Sequence, residues 1–385
     1  MEIGVLVERK RDEKRVALRT DQVRTLLEAG HRIWVERGAG EAVGYSDLAY
    51  EEQGAICAAQ DEVWQRSALV LKVKCPLPEE YRFLRSDHVV FTYLHFDENI
   101  EAARIQQIVD TGVTGIAYEW VEEQGQFPLL QPMSELTGAV CARHTMSLLM
   151  EHKATLGGGY LEQWPASHAM VIGAGHIGSN AINVFARNKF LVTVVDKHPE
   201  TLEERLGRYM SKSVWQGAIA EVIRFDESRP EVSVKAIRAK LPNMDIVICA
   251  AVRRPSLPKA VCEFLIRRED VAKMAKNTVI CDATACNQEF IETCVSSDSL
   301  MYNYSEEGVI HYNCDHVPSL VAKTATTLLT DATLPYVRLL ANGFERAVRQ
   351  DSALAKGVMC YRGQLTHALS ARKKNLHYTD LNNML

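Results

Sequence analysis

The 385-residue sequence has no block of like charge, no C-x-x-C spacing, and no apolar stretch of about 20 residues, the length that a membrane span needs. Together with a net charge of −5, these absences argue against nucleic acid or a membrane as partners. The ten cysteines are scattered through apolar segments, which is typical of reduced, mostly buried thiols. The chain starts with a strand-like run, Ile3–Val7, rather than a signal peptide, so we expect a cytoplasmic protein.

Apolar residues are plentiful at 47%, and a chain of this length suggests two domains that each bury a core. Up to about residue 140, short apolar runs alternate with amphipathic stretches, as in α/β proteins. A second α/β stretch contains six predicted strands, at Met170–Gly173, Leu191–Val195, Glu221–Phe225, Asp245–Cys249, Thr278–Asp282 and Val309–Asn313. A long helical stretch from Ala322 toward Gln350 follows it.

A glycine-rich motif follows the first strand of the second stretch and reads Val171-Ile172-Gly173-Ala174-Gly175-His176-Ile177-Gly178. Gly173 allows a tight turn, Gly175 lets the backbone approach a pyrophosphate, and Gly178 lets the following helix pack closely on the strand. The helix N-terminus supplies free N–H groups for the phosphates. This spacing predicts a dinucleotide site.

Asp196 stands 18 residues after Gly178, behind a second apolar run. Its carboxylate is expected to bind ribose hydroxyls and to repel a 2′-phosphate, which favours NAD over NADP. Lys197 and His198 follow directly and moderate this preference. Besides the glycines and Asp196, we expect cofactor contacts from Ser134, His176, Ile177, Lys197, Ala250 and Ala251.

The predicted fold is α/β, with two Rossmann-like domains and a cleft between them, the second domain being a doubly wound parallel sheet that binds NAD. Residues 1–138 and 320–385 are assigned to the substrate domain, and residues 139–319 to the NAD-binding domain. A predicted helix over Ser134–His152 links them. We expect the active site in the cleft.

Several segments spread along nearly the whole chain resemble the alanine dehydrogenase family, which also includes the transhydrogenase subunit fold. They include Arg15-Val16-Ala17-Leu18, Leu71-Lys72-Val73-Lys74-Cys75-Pro76, Phe91-Thr92-Tyr93-Leu94-His95, Pro132-Met133-Ser134-Glu135 and Asp331-Ala332-Thr333-Leu334-Pro335-Tyr336. The resemblance implies an NAD-dependent oxidoreductase that acts on the C–N bond of an amino acid or imine, with an amino or keto acid as substrate. It also implies a homo-oligomer.

By the same resemblance, Arg15 and Lys74 anchor the substrate and His95 is the acid/base group. An arginine can hold a carboxylate bidentately, and the pKa of histidine suits proton transfer near neutrality. Alternatively, Arg15 is a surface cation, Lys74 reaches solvent from a strand end, and His95 is a core histidine. Three matches at predicted strand ends favour the catalytic interpretation. Glu135 is expected either to orient a cation or to serve as a helix-start carboxylate after Ser134.

Three loops depart from the family pattern. Cys286 stands where the family has an acid, and His316 stands at the position of a family asparagine. Arg253 and Arg254 occupy a shortened loop, where they either favour a second anionic group on the substrate or lie at a solvated tip. We therefore expect a substrate other than simple alanine. Cys286 is either an inert thiol, a nucleophile paired with His316, or a metal ligand with His316 and Cys314; we predict no metal.

Two alternatives stay open. One is a saccharopine- or opine-type dehydrogenase, because the lysine-forming saccharopine dehydrogenases are similar in architecture and act on secondary amines with several carboxylates. The other is a non-catalytic NAD-binding homologue, which the missing acid and asparagine would explain. A proton-translocating transhydrogenase subunit is not favoured, because that role needs membrane-spanning segments or a partner that carries them.

Overall fold

The computed structural model describes residues 1–98, 100–160, 163–253 and 256–385. The chain divides into two compact units. Unit 1 comprises Met1–Met133 and Val321–Leu385, and unit 2 comprises Ser134–Leu320. In these described ranges, none of the helices combines the length and the apolar character needed to cross a bilayer.

Fifteen strands occur in the described residues, in chain order β1 Glu2–Val5, β2 Arg32–Glu36, β3 Ile56–Ala58, β4 Leu69–Lys74, β5 Val89–Tyr93, β6 Thr114–Ala117, β7 His168–Ile172, β8 Leu191–Asp196, β9 Ile219–Arg224, β10 Ile246–Cys249, β11 Val279–Asp282, β12 Tyr304–Glu306, β13 Val309–Tyr312, β14 Val358–Tyr361 and β15 Gln364–Leu365. The α-helices within the same ranges are α1 Thr20–Glu28, α2 Asp47–Glu52, α3 Gln60–Arg66, α4 Ala102–Asp110, α5 Gln131–Lys153, α6 His176–Arg187, α7 Leu202–Gly207, α8 Lys212–Gln216, α9 Pro230–Lys240, α10 Arg268–Val271, α11 Ala322–Leu340, α12 Phe344–Gln350, α13 Ser352–Lys356 and α14 Ala368–Lys374.

Unit 1 is built on an eight-stranded sheet in the order β15-β14-β6-β5-β4-β1-β2-β3. Strands β1 to β6 are parallel, and β14 pairs antiparallel with β6. All six residues of β4 are buried. Side chains alternate between the faces of a strand, so Lys72 and Lys74 lie on the same face of β4. The strand therefore carries two cations in a buried sheet, and each needs an acidic partner.

The C-terminal region differs from the predicted continuous helix between Ala322 and Gln350. Helix α11 ends at Leu340, and α12 starts after Gly343. The φ of Gly343 is +112°, a backbone conformation that favours glycine and interrupts the helix. The hairpin of β14 and β15, which sequence patterning missed, then extends the sheet of unit 1.

Unit 2 contains a seven-stranded sheet in the order β12-β13-β11-β10-β7-β8-β9. The six predicted strands are all present and parallel, so the prediction of a doubly wound parallel sheet is confirmed. An additional short strand, β12, pairs antiparallel with β13 at the edge. From β7, the chain first adds β8 and β9 on one side of the sheet and then crosses over to add β10, β11 and β13 on the other side. Ligands of such sheets bind at the carboxyl ends of the strands near this crossover point, between β7 and β10.

Close backbone contacts hold the start of α6 in place. Gly173 has a φ of +87°, and a Cβ atom on Gly178 would lie 1.8 Å from the carbonyl oxygen of Gly173. On the other side, a Cβ atom on Gly138 of α5 would lie 1.9 Å from the carbonyl oxygen of Ile177. Both contacts are with rigid backbone, so only glycine permits this packing of strand and helices.

We expect Gly138→Ala to lower the free energy of unfolding by about 1–3 kcal/mol, because the added methyl group forces α5 and α6 apart. Denaturant titration of the full chain measures the change. Gly207→Ala is the matched control: a Cβ atom there meets nothing within 4 Å, so stability should be unchanged or slightly higher. Equal stability of the two variants would contradict the close packing at Gly138.

Candidate active site

The glycine-rich loop joins β7 to α6 and leaves open space where a pyrophosphate is expected. Gly175 is the N-cap residue of α6, and a Cβ atom on Gly175 would meet nothing within 4 Å. The first N–H groups of a helix point outward at this position and favour an anion. The loop geometry therefore fits the phosphates of a dinucleotide.

A cavity of about 290 Å³ lies beside this loop. Its lining includes residues 173–175 of the loop, residues 196–198 after β8, residues 250–252 after β10, and Arg205. The predicted cofactor residues Gly173, Gly175, Asp196, Lys197, Ala250 and Ala251 are thus brought together. Ile177 lies in the first turn of α6, at the contact with Gly138.

The carboxylate of Asp196 is held by protein groups. Its oxygens accept hydrogen bonds from the backbone N–H groups of Ala174 and His198, each at 2.8 Å. The guanidinium of Arg205 donates to both oxygens, at 3.1 and 2.8 Å. Burial raises the pKa of Asp196, but these hydrogen bonds and the charge of Arg205 outweigh it, so the pKa is lowered. Sequence reasoning missed Arg205, nine residues further on, because its partner is set by folding.

Glu135 takes part in a small polar cluster near the start of α6. Its carboxylate accepts a hydrogen bond from the hydroxyl of Tyr209 at 2.9 Å and lies 3.7 Å from Nδ1 of His176. The hydroxyl oxygen of Tyr209 also lies 2.9 Å from Nδ1 of His176. Helix α5 begins at Gln131, so Glu135 and its neighbour Ser134 lie inside the helix, and the expected helix start at Ser134 is wrong.

In unit 1, Arg15 is buried in a loop after β1 and forms a bidentate pair with Glu13. Nε and Nη2 of Arg15 donate to the two carboxylate oxygens of Glu13 at 2.7 and 2.5 Å. Nη1 contacts the sulfur of Met133 at 3.4 Å. A guanidinium has five N–H groups, so two of them have no protein acceptor among the described residues. Arg15 is therefore fixed and still able to bind an anion.

The ion pair with Arg15 shifts the pKa of Glu13. Burial raises the pKa of Glu13, but Arg15 and Lys74 lower it to about 2. Helix α11 supports the same loop, because the N–H of Val16 donates to Oγ1 of Thr326 at 3.2 Å. The segment around Thr326 is thus a support for the site.

Lys74 ends β4 and is buried, and its backbone is held by Glu8. The carboxylate of Glu8 accepts from the N–H groups of Val73 and Lys74, at 2.6 and 3.1 Å. Lys72 lies 3.5 Å from Glu8 and 3.2 Å from Glu80. Sequence reasoning did not single out Glu8, Lys72 or Glu80. The alternation of Lys72 with Lys74 in an apolar strand was a usable signal of buried charges.

His95 follows β5 with a φ of +51°, which is uncommon for a residue other than glycine. Its N–H donates to Glu119 at 2.6 Å, and its Nδ1 lies 3.1 Å from the carboxylate of Glu98. Burial and Lys74 lower the pKa of His95, but Glu119 and Glu98 outweigh them, so the pKa is raised. Tyr93 stacks on the imidazole, with ring centroids 5.7 Å apart. The imidazole is thus oriented and favoured in its protonated form.

Arg253 lies in the loop after β10, and its guanidinium is occupied within unit 2. It donates to the side chain of Glu289 at 2.6 Å and to four backbone carbonyls at 2.6–3.1 Å, which accounts for all five of its N–H groups. Arg253 is therefore a structural cation here, and the geometry does not favour the prediction that it binds a substrate anion. Arg254, its predicted partner, lies outside the described residues.

Cys286 and His316 lie on loops that follow β11 and β13. The side-chain amide of Asn313 donates to the carbonyl of Cys286 at 2.7 Å and so joins the two loops. His316 is fully buried, and its Nδ1 lies 2.7 Å from Asp315 and 3.5 Å from Cys314. The ligand atoms of these last three residues lie within 4.8 Å of one another. The absence of a metal stays a prediction.

Asp282 is a buried acid at the end of β11 that sequence reasoning did not single out. One carboxylate oxygen accepts from the N–H and the hydroxyl of Thr284, at 3.0 and 2.7 Å. Within the described ranges the other oxygen has no hydrogen-bond partner. Burial raises the pKa of Asp282 to about 6, against the effect of Thr284. Asp282 is thus a group that can carry a proton near neutrality, four residues before Cys286.

The doubly wound sheet, the glycine loop and the acid after the second strand define a dinucleotide-binding fold, the class to which NAD-dependent oxidoreductases belong. Comparison with known proteins agrees with this class. Family models of alanine dehydrogenase/PNT match the chain, the N-terminal domain over residues 4–137 and the C-terminal domain over residues 139–368. The alanine dehydrogenase of Bacillus subtilis (strain 168) is 34% identical over 387 residues, which cover 98% of this chain and 96% of that protein.

Solved structures give the same result. An L-alanine dehydrogenase superposes with a TM-score of 0.80 and 30% identity, over 97% of this chain and 99% of that chain. A transhydrogenase from Sinorhizobium meliloti shares the fold, with a TM-score of 0.74 and 22% identity over 96% of this chain and 99% of that chain. The chain belongs to the alanine dehydrogenase/PNT family. The predictions of this family, of an enzyme and of NAD as cofactor are confirmed.

We expect Glu13→Gln to lower the free energy of unfolding by about 3–5 kcal/mol at pH 7, because it leaves the charge of Arg15 buried without its carboxylate. The pKa of Glu13 falls from 4.5 to about 2 on folding, so the pair stabilises above pH 4.5 and loses its effect as the pH falls toward 2. Urea titrations of both proteins across this range measure the difference.

Asp21→Asn is the matched control, because Asp21 pairs with Arg19 by two contacts at 2.9 Å but is 64% exposed. Its loss should cost less than about 1 kcal/mol. A Glu13→Gln effect as small as that of Asp21→Asn would contradict a buried ion pair at Arg15.

Proposed function

We propose that this protein is an NAD(H)-dependent oxidoreductase that acts on the C–N bond of an amino acid or imine, with a substrate other than simple alanine. Arg15 and Lys74 bind the carboxylate or keto oxygen of the substrate, and His95 moves the proton. The names of the relatives support an amino or keto acid as substrate. Homo-oligomerisation and a cytoplasmic location also belong to this proposal.

The observation that carries the proposal is the buried charge cluster of unit 1. Arg15 is fixed by Glu13, and His95 is fixed by Glu98 and Glu119. Lys74 lowers the pKa of Glu13 and also that of Glu98, so its ammonium lies near both carboxylates. A cation pair beside a protonatable imidazole is the arrangement that oxidation of an amino acid needs.

In the oxidative direction, bound NAD supplies the hydride acceptor for the hydrogen on Cα of the substrate. Arg15 holds the carboxylate through its two remaining N–H groups, and Lys74 neutralises the oxygen that develops charge. His95 accepts the proton that leaves when the C–N bond becomes an imine, and it returns protons as water converts the imine to a keto acid and ammonia. In the reductive direction, the protonated form of His95 donates.

The two changed loops support a substrate other than alanine. Cys286 and His316 follow β11 and β13, at the carboxyl ends of the parallel strands where a dinucleotide binds. A thiol and a buried imidazole thus replace the acid and the amide expected there. Arg253 gives no support to a doubly anionic substrate, because its donors are all used.

A screen of NADH oxidation tests the proposal. The purified chain is assayed with a panel of 2-oxo acids, each with ammonia or with a primary amine. We expect turnover with at least one oxo acid larger than pyruvate, at a higher kcat/KM than with pyruvate and ammonia. Activity confined to pyruvate and ammonia would contradict the substrate assignment. Turnover only with primary amines that carry carboxylates would instead indicate an opine-type enzyme.

His95→Gln should lower kcat by about 10²–10⁴-fold in the same assay, since it removes the proton-transfer group. NADH binding, followed by its fluorescence, should be unchanged because His95 belongs to unit 1 and the glycine loop to unit 2. His377→Gln, an exposed histidine of the same unit, is the control and should keep full activity. NADH binding without turnover of any substrate by the unmodified protein would mark a non-catalytic homologue.

The pH profile of the reductive reaction depends on Glu98. The carboxylates beside His95 raise its pKa, so activity should fall only as the pH rises past this raised value. Glu98→Gln removes one of them and should move the fall in kcat/KM to lower pH. Glu101→Gln, an exposed neighbour, should leave the profile in place. Identical profiles for all three proteins would show that His95 does not control the reaction.

A further inference from the structure

We propose that the dinucleotide site binds NADPH almost as well as NADH, because Arg205 neutralises Asp196 and takes up its hydrogen-bonding capacity. This inference rests on the proposed function, which requires a nicotinamide dinucleotide in unit 2. Asp196 alone would select NAD by accepting the ribose hydroxyls and repelling a 2′-phosphate. The described contacts remove both effects.

The first effect is lost because the acceptor positions of Asp196 are taken. A carboxylate has about four lone-pair sites. Four N–H groups occupy them, two from the backbone at Ala174 and His198 and two from Arg205. A ribose hydroxyl gains a bond to Asp196 only if one of these is displaced. The carboxylate therefore offers NADH little advantage.

The second effect is lost because Arg205 is fixed in place. Its guanidinium also donates to the carbonyl oxygens of Ala174 and His198, at 2.6 and 2.8 Å. These backbone bonds hold the positive charge against Asp196. A 2′-phosphate then meets a neutralised pair instead of a bare carboxylate.

The other charged groups around the cavity are balanced. Lys197 and Arg205 face Asp196 and Glu227, and His198 adds an imidazole. The ammonium of Lys197 lies 3.8 Å from Glu227, a loose pair, and its side chain is 42% exposed. The side chain of His198 is 58% exposed. Lys197 and His198 can therefore turn to a phosphate, while Glu227 prevents a strong preference for it.

Calorimetric titration of the full chain with NADH and with NADPH tests the inference. For the unmodified protein, the two Kd values should differ by less than about tenfold. Arg205→Leu exposes the charge of Asp196, so it should raise the Kd of NADPH at least about tenfold and leave that of NADH equal or lower. Arg208→Leu removes the same charge from a residue paired with Glu204, outside the cavity lining, and should change neither Kd.

Lys197→Gln is a second variant that changes an exposed side chain and spares the fold. It should weaken NADPH binding only, and the affinity for NADPH should fall with salt more steeply than that for NADH. A hundredfold preference of the unmodified protein for NADH would overturn the inference. So would an NADPH-to-NADH ratio of Kd values that stays unchanged in Arg205→Leu. Binding of neither dinucleotide would overturn the proposed function as well.

Discussion

The buried cations Arg15 and Lys72 and the buried carboxylate of Asp196 are each held by an opposite charge of the same unit, and the geometry of both candidate sites depends on this pairing. A charge removed from water costs several kcal/mol unless an opposite charge compensates it. Glu13 compensates Arg15, Glu8 and Glu80 compensate Lys72, and Asp196 is compensated by Arg205. Each pair also fixes a backbone segment, so the charges that enable chemistry are the charges that shape the loops.

The arginines differ in how many of their N–H groups lack a protein acceptor, and this difference separates their roles. Arg253 and Arg205 use all of their N–H groups inside the protein, and each therefore shapes its surroundings without an open donor. Arg15 keeps two N–H groups without a protein acceptor in the described part of the chain. Residue type alone treats these arginines as equal, although only Arg15 is prepared to bind an anion.

Features with a short-range signal could be predicted from the sequence. Five of the six predicted strands of unit 2 are mostly apolar, buried runs, and only β9 alternates with exposed residues. The glycine loop has a spacing that few other structures require. Strand β12 could not be predicted in this way, because it is three residues long and pairs only at an edge. The hairpin of β14 and β15 was also missed, since its partner β6 lies more than 200 residues earlier in the chain.

The sequence by itself determined the family, the α/β class and the position of the dinucleotide loop, because these depend on apolar periodicity, on glycine and on matched segments. Only the tertiary structure decided which charges pair. Arg205 against Asp196, Arg253 against Glu289 and the buried acid Asp282 are products of chain segments brought together by folding. A charge in a sequence has no partner until the fold supplies one, so its strength, its pKa and its remaining donors are properties of the folded molecule.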